Sequence, residues 1–153
     1  MKRVRFRAHL RNHAYRLTRL GVLACVMVAV GFASAPVARA ALTERLSVAN
    51  GGAQANGDSL GGSASVSGNG RYVVFWSWAS DLNGGDTNNA ADVFLRDRQT
   101  GRTERVSVAN DGAQANNPSV NASISADGRY VAFGSSASNL VGGDTNNTAD
   151  VFV

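Results

Sequence analysis

The sequence predicts an all-β fold in which one small antiparallel sheet is repeated along the chain, and three observations predict it. The chain is internally duplicated. Each copy alternates short apolar runs with turns rich in Gly, Asn and Asp. No stretch beyond residue 40 shows a capped helical period.

The duplication has two blocks. Thr43–Asn56 (TERLSVANGGAQAN) and Thr103–Asn116 (TERVSVANDGAQAN) share twelve of fourteen residues at an offset of 60. Gly70–Phe94 and Gly128–Phe152 share nineteen of twenty-five at an offset of 58. The two-residue difference lies in the linking segments, Gly57–Asn69 and Asn117–Asp127.

Four strand types are expected in each copy. Ser63–Ser67 and Ser119–Ser125 alternate polar and apolar residues, as half-buried strands do. They lead into Gly68-Asn69-Gly70 and Ala126-Asp127-Gly128, residues that supply positive φ in a hairpin turn. Arg71–Trp78 and Arg129–Gly134 follow, apolar on both faces, which suits strands covered on both sides. A polar loop leads to the third type, Ala91–Arg98 and Ala149–Val153. The fourth, Arg102–Val108, puts Val106 and Val108 on one face and Arg105 and Ser107 on the other, as expected of an outer strand. Thr43–Val48 repeats that fourth type ahead of the first copy.

A four-stranded antiparallel unit repeated along a chain is the blade of a β-propeller. One blade cannot cover both its faces, so neighbours must bury the inner strands. Residues 41–109 are expected to form the first blade, with 43–48 as a preceding outer strand; residues 110–153 form a second, C-terminally incomplete blade. Propellers use about four to eight blades. The sequence therefore reads as part of a longer propeller, as a ring that several chains complete by self-assembly, or as two stacked sheets. The stop inside a third-type strand favours the first option.

The same residues resemble a known family. Ser125-Ala126-Asp127-Gly128-Arg129-Tyr130-Val131-Ala132-Phe133 is similar to the S-P-D-G-(R/K)-x-(I/L/V)-A-F motif of TolB-like (PD40, WD40-like) repeats. Asp150-Val151-Phe152 and Asp92–Gly101 resemble the strand and turn that follow it. Ala126 replaces the motif's proline, and Ser67-Gly68-Asn69-Gly70 is looser still. The resemblance spans nearly all of 41–153 and implies a propeller that serves as an interaction platform.

Residues 1–40 read as a secretory signal peptide. A basic region (Lys2 to Arg19) precedes an apolar core (Leu20–Ala35) and the small-residue site Ala38-Arg39-Ala40. The core falls short of the roughly 20 apolar residues that span a bilayer, so no membrane span is expected after cleavage and the location is extracytoplasmic. This segment holds eight of the fifteen basic residues and none of the eleven acidic ones. The remainder carries seven basic and eleven acidic residues, a formal charge of −4, which removes the nucleic-acid partner that a basic chain would suggest.

The same cut takes every His, Cys and Lys with it. Triad chemistry then lacks its base, and no enzyme activity is expected. The repeated GGDTNN-x-AD places Asp86, Asn88, Asp92 and Asp144, Asn146, Asp150 at i, i+2, i+6. Oxygen ligands in that spacing are how a calcium loop begins, although a Glu is missing; Asx turns account for the same residues without metal. Trp76 and Trp78 are expected to share one strand face, as core packing or as a stacking platform for a sugar. The expected function is an exported, non-catalytic scaffold binding a protein or glycan. The alternative is a carbohydrate-active enzyme using carboxylates alone.

Overall fold

The computed structural model describes residues 42–153; the signal-peptide reading lies outside them. Among the described residues there are seven strands and no helix. In chain order they are β1 (Ser59–Val66), β2 (Tyr72–Ser77), β3 (Asp92–Asp97), β4 (Arg102–Arg105), β5 (Ser119–Ile124), β6 (Val131–Ser135) and β7 (Asp150–Phe152). Two antiparallel meanders result, β1-β2-β3-β4 and β5-β6-β7.

The turns follow from local chemistry. Between β1 and β2 the Ser67 hydroxyl donates to Asn69 Oδ1 (2.7 Å), and the same oxygen accepts from the Arg71 amide (3.0 Å). Ser125 and Asp127 repeat the arrangement at 2.6 Å. Gly70 and Gly128 follow at φ 71° and 75°, where a side chain is strained. Gly128 is further constrained, since a Cβ there would lie 2.7 Å from the Tyr72 ring. The two turns also meet, the Gly68 amide donating to the Ala126 carbonyl at 2.8 Å.

The two-residue offset between the copies is absorbed inside the first strand. Leu60 pairs with Trp76 and Ser65 with Val74, so β1 carries three extra residues there. In the second sheet Val120 pairs with Gly134 and Ser123 with Ala132, leaving one extra. Asn121, at φ 57°, sits in that smaller bulge. The bulge holds the insertion, so the remaining register is unaffected.

Both faces of β2 are covered, as its apolarity requires. Val74 and Trp76 face the second sheet, joining Val93, Ala122, Ile124 and Phe133 in one core. Phe75 faces the other way and packs with Ala79, Leu82 and Phe94. Phe75 and Phe94 stack at 6.0 Å, and their counterparts Phe133 and Phe152 at 5.8 Å. Fully burying a side chain of this size contributes about 1.5–3 kcal/mol, so the shared core binds the sheets into one unit.

Three expectations need correction. The outer strand ends at Arg105 rather than Val108, and its faces are reversed: the Arg105 and Ser107 side chains are buried on the acidic loop, whereas Val108 is exposed. Thr43–Val48 is not a strand: only Val48 pairs, in a single bridge to Gln54. A strand needs a neighbour's backbone, and no third-type strand lies beside this segment among the described residues. It is tied instead to the turn after β3, with Glu44 paired to Arg98 (2.8 Å), and Leu46 lines a shallow groove together with Val73 and Ala64. Trp76 and Trp78 differ in their surroundings. The strand ends at Ser77, leaving Trp76 against the shared core and Trp78 half exposed.

Candidate functional site

The expected acidic loop of the first copy converges on a single arginine. Asp86 and Asn88 lie in the loop before β3 and Asp92 opens that strand. The loop is shaped by Asx turns: Asn88 Oδ1 accepts from the Ala90 amide at 2.8 Å, and Asp86 Oδ1 from the Asn88 amide at 3.4 Å. Asn89 adopts φ 51°, a conformation Asn tolerates. Arg105, at the end of β4, then reaches both carboxylates, with Nε 3.3 Å from Asp92 and Nη2 3.7 Å from Asp86.

All three side chains are enclosed, at 7 % exposure for Arg105, 4 % for Asp86 and none for Asp92. The guanidinium also lies 5.9 Å from the Phe94 ring centre. Its Nε and Nη2 make these charge contacts without well-aligned hydrogen bonds. Better-aligned bonds come from elsewhere. The Ser107 hydroxyl donates to Asp92 Oδ1 at 2.7 Å while accepting from the Val93 amide at 3.1 Å. Burial pushes the Asp92 carboxyl above its ordinary value, outweighing Ser107, Arg105 and Gln114, which pull it down.

Gln114 belongs to the second copy, and it ties the copies together. Its amide donates to Asp86 Oδ1 (2.6 Å) and Asp92 Oδ2 (3.1 Å), and its oxygen accepts from the Thr87 amide and hydroxyl, each at 3.2 Å. Asn88 completes the clip by donating to the Ala115 carbonyl at 2.9 Å. Two residues on, Asn116 is pinned to Ser138 and Asn139 of its own sheet. In the second copy AQAN thus reaches back with Gln and holds its own repeat with Asn; in the first, Asn56 makes the matching bonds to Ser80 and Asp81, while Gln54 accepts from Arg45.

The second loop keeps its internal turn but lacks these partners. Asn146 donates to Asp150 Oδ2 at 3.2 Å and accepts from the Thr148 amide at 2.9 Å. Asp144 and Asp150 instead line an open groove of about 550 Å³ with Val151 and Phe152. Among the described residues no group of three or more His, Cys, Asp or Glu side chains gathers at metal-ligand range.

The sequence pattern alone identified the loop, but not Arg105 and Gln114 as its partners. Both recur in the duplication, as Arg45 and Gln54, and that recurrence was the available signal. Elsewhere, Arg71 pairs side-on with Asp97 at 3.0 and 2.6 Å and holds that carboxyl well below the usual carboxylate range. Asp111 and Asp127 serve turns: Asp111 accepts from the Ala113 amide, and the Ser125 hydroxyl lowers the Asp127 pKa. Among the described residues no helix is long and apolar enough to cross a membrane. No family model matches the chain, and neither a curated protein nor a solved structure matches it significantly.

Proposed function

We propose that the chain is an exported, non-catalytic repeat module of the β-propeller type, akin to TolB-like repeats, that acts as a scaffold for a protein or glycan. One observation carries this reading: the acidic pair of the first loop is taken up by an arginine of its own sheet and a glutamine of the next copy. Asp86 and Asp92 face Arg105 and Gln114 rather than a cleft. A carboxylate pair committed in this way has no access to a glycosidic bond. The meander of four strands and its stacking on a second copy are what blades require of their neighbours.

A screen of the purified protein for glycan binding and glycan turnover tests the reading. Binding without turnover is the expected result. Turnover abolished by a single Asp substitution would establish the carboxylate enzyme instead. Calcium at the Asp86–Asp92 and Asp144–Asp150 loops is a separate proposal, resting on the oxygen-rich spacing. Arg105 already supplies positive charge to the first loop, so a cation is better accommodated at the second. Calorimetry with calcium decides it, and absence of binding heat discards the ion.

A further inference from the structure

The two copies share a backbone where their first two strands meet, but not the side chains on one of its faces. β1 and β2 pair Ser59 with Ser77 and Leu60 with Trp76; the second sheet pairs Ser119 with Ser135 and Val120 with Gly134 in the same register. One step further the Trp78 amide donates to the Asp58 carbonyl at 2.8 Å, as the Ser136 amide does to the Pro118 carbonyl at 3.1 Å. The serine face is the same in both copies. Its two hydroxyls lie 2.9 Å apart in each, and Ser77 or Ser135 accepts from the Ala79 or Ala137 amide at 3.0 Å. The other face differs at every position: Asp58, Leu60, Trp76 and Trp78 stand where the second copy has Pro118, Val120, Gly134 and Ser136.

Trp78 shares the face of Trp76, because Phe75 and Ala79 pack together on the opposite one. Trp76 rests on the core shared with the second sheet, yet Trp78 is 50 % exposed and Leu60 48 %. The sheet that packs on this face is the second copy, and it is in place, so the exposure belongs to a complete junction. The backbone under the indole is braced. Asn56 and Ser80 exchange two bonds of 2.9 Å between the segments beside it, and Gly57 lies so close that a Cβ would come 2.9 Å from the Ala79 nitrogen. Asp58, opposite Trp78, is exposed and contacts β2 through its carbonyl, which leaves the carboxylate to solvent.

We infer that this patch binds one β-linked pyranose ring of a glycan, its C–H face stacking on Trp78 and its hydroxyls donating to the Asp58 carboxylate. The indole offers a flat apolar surface, and the charged acceptor beside it suits a ring whose rim carries O–H donors. The size of the patch selects this occupant. A stable protein interface takes roughly 800 Å² from each partner, whereas the open half of one indole and one leucine matches a single sugar ring. A platform already braced in place loses little freedom when it binds. The inference rests on the repeat-scaffold reading and names glycan, rather than protein, as what this face of the scaffold recognises.

Saturation-transfer NMR of the purified protein with the methyl β-glycosides of glucose, galactose and N-acetylglucosamine tests it, since each ring presents axial C–H bonds on a face. At least one is expected to bind in the millimolar range, with transfer strongest at the C–H protons of one ring face. Trp78→Ser installs the residue that the second copy carries on the same backbone, and is expected to abolish the transfer. Trp78→Phe keeps an aromatic face and is expected to retain binding, which excludes misfolding as the cause of the loss. Asp58→Ala is expected to weaken binding about tenfold. Transfer that persists in Trp78→Ser, or no transfer from any of the three glycosides, overturns the sugar site. A silent spectrum leaves the non-catalytic scaffold reading standing, whereas release of methanol from a glycoside would overturn both.

Discussion

Arg105 lies 3.3 Å from Asp92 with both side chains withdrawn from solvent, and this contact joins the outer strand of the first sheet to the start of its third. The pair is poorly hydrogen-bonded along the contact itself, so its strength depends on the charge of both members and on Asp86 nearby. Removing one member of such a pair leaves the other buried and uncompensated. Arg105→Met is therefore expected to destabilise the protein by about 3–5 kcal/mol, read as a lower urea midpoint at unchanged slope. An effect near zero would mean that water reaches the two carboxylates.

Phe133 tests whether the sheets unfold as one. It lies in the second sheet but packs in a core containing Val74 and Val93 of the first. Phe133→Ala is expected to cost about 3–5 kcal/mol. Both tryptophans belong to the first copy, so their fluorescence reports on the sheet that was not altered. Coincident loss of fluorescence and of far-ultraviolet circular dichroism is expected in a single transition. Two separate transitions would show that the shared core does not couple the repeats.

How much of this was legible beforehand depended on the range of the interaction. The turns at Asn69-Gly70 and Asp127-Gly128 were legible because their bonds are local, Asn69 or Asp127 binding an amide two residues on. The inner strands were legible because apolarity on both faces implies cover on both. Thr43–Val48 has the pattern of a strand because it repeats Thr103–Val108, whereas a strand also requires a partner that sequence similarity does not provide. The clip between Gln114 and Asp86 spans 28 residues, and no local rule connects them. Trp78 continues the apolar pattern of a strand that ends one residue earlier.

Acid stability should follow Asp97. Arg71 holds its carboxyl below the ordinary value, with the Gln99 and Thr100 amides adding to the effect. A carboxylate depressed in the folded state contributes stability above its unfolded pKa of about 3.9, and that contribution is lost as pH falls towards the folded value. Asp97→Asn is expected to flatten the dependence of the melting temperature on pH below about 4. Asp92 acts in the opposite sense: its raised pKa favours the folded state at low pH, and the gain is lost as pH rises through the folded value. An unchanged acid limb in Asp97→Asn would rule out the pairing as its source.

Gly128 and Gly112 separate backbone strain from crowding. Both have positive φ, 75° and 86°, but only Gly128 faces a close neighbour, the Tyr72 ring. Gly112→Ala is expected to cost about 1–3 kcal/mol from the left-handed backbone alone. Gly128→Ala should cost more, because the ring must also move. Equal losses by thermal denaturation would show that Tyr72 yields freely.

The central claim is that the two copies are propeller-type units stacked in one direction around an axis. Electron microscopy of the purified, assembled protein tests this most directly. The account predicts sheets stacked in one direction, unlike faces together, with every junction repeating the one formed by Val93, Ile124, Arg105 and Gln114. Sheets that meet with like faces together across a two-fold axis would contradict it.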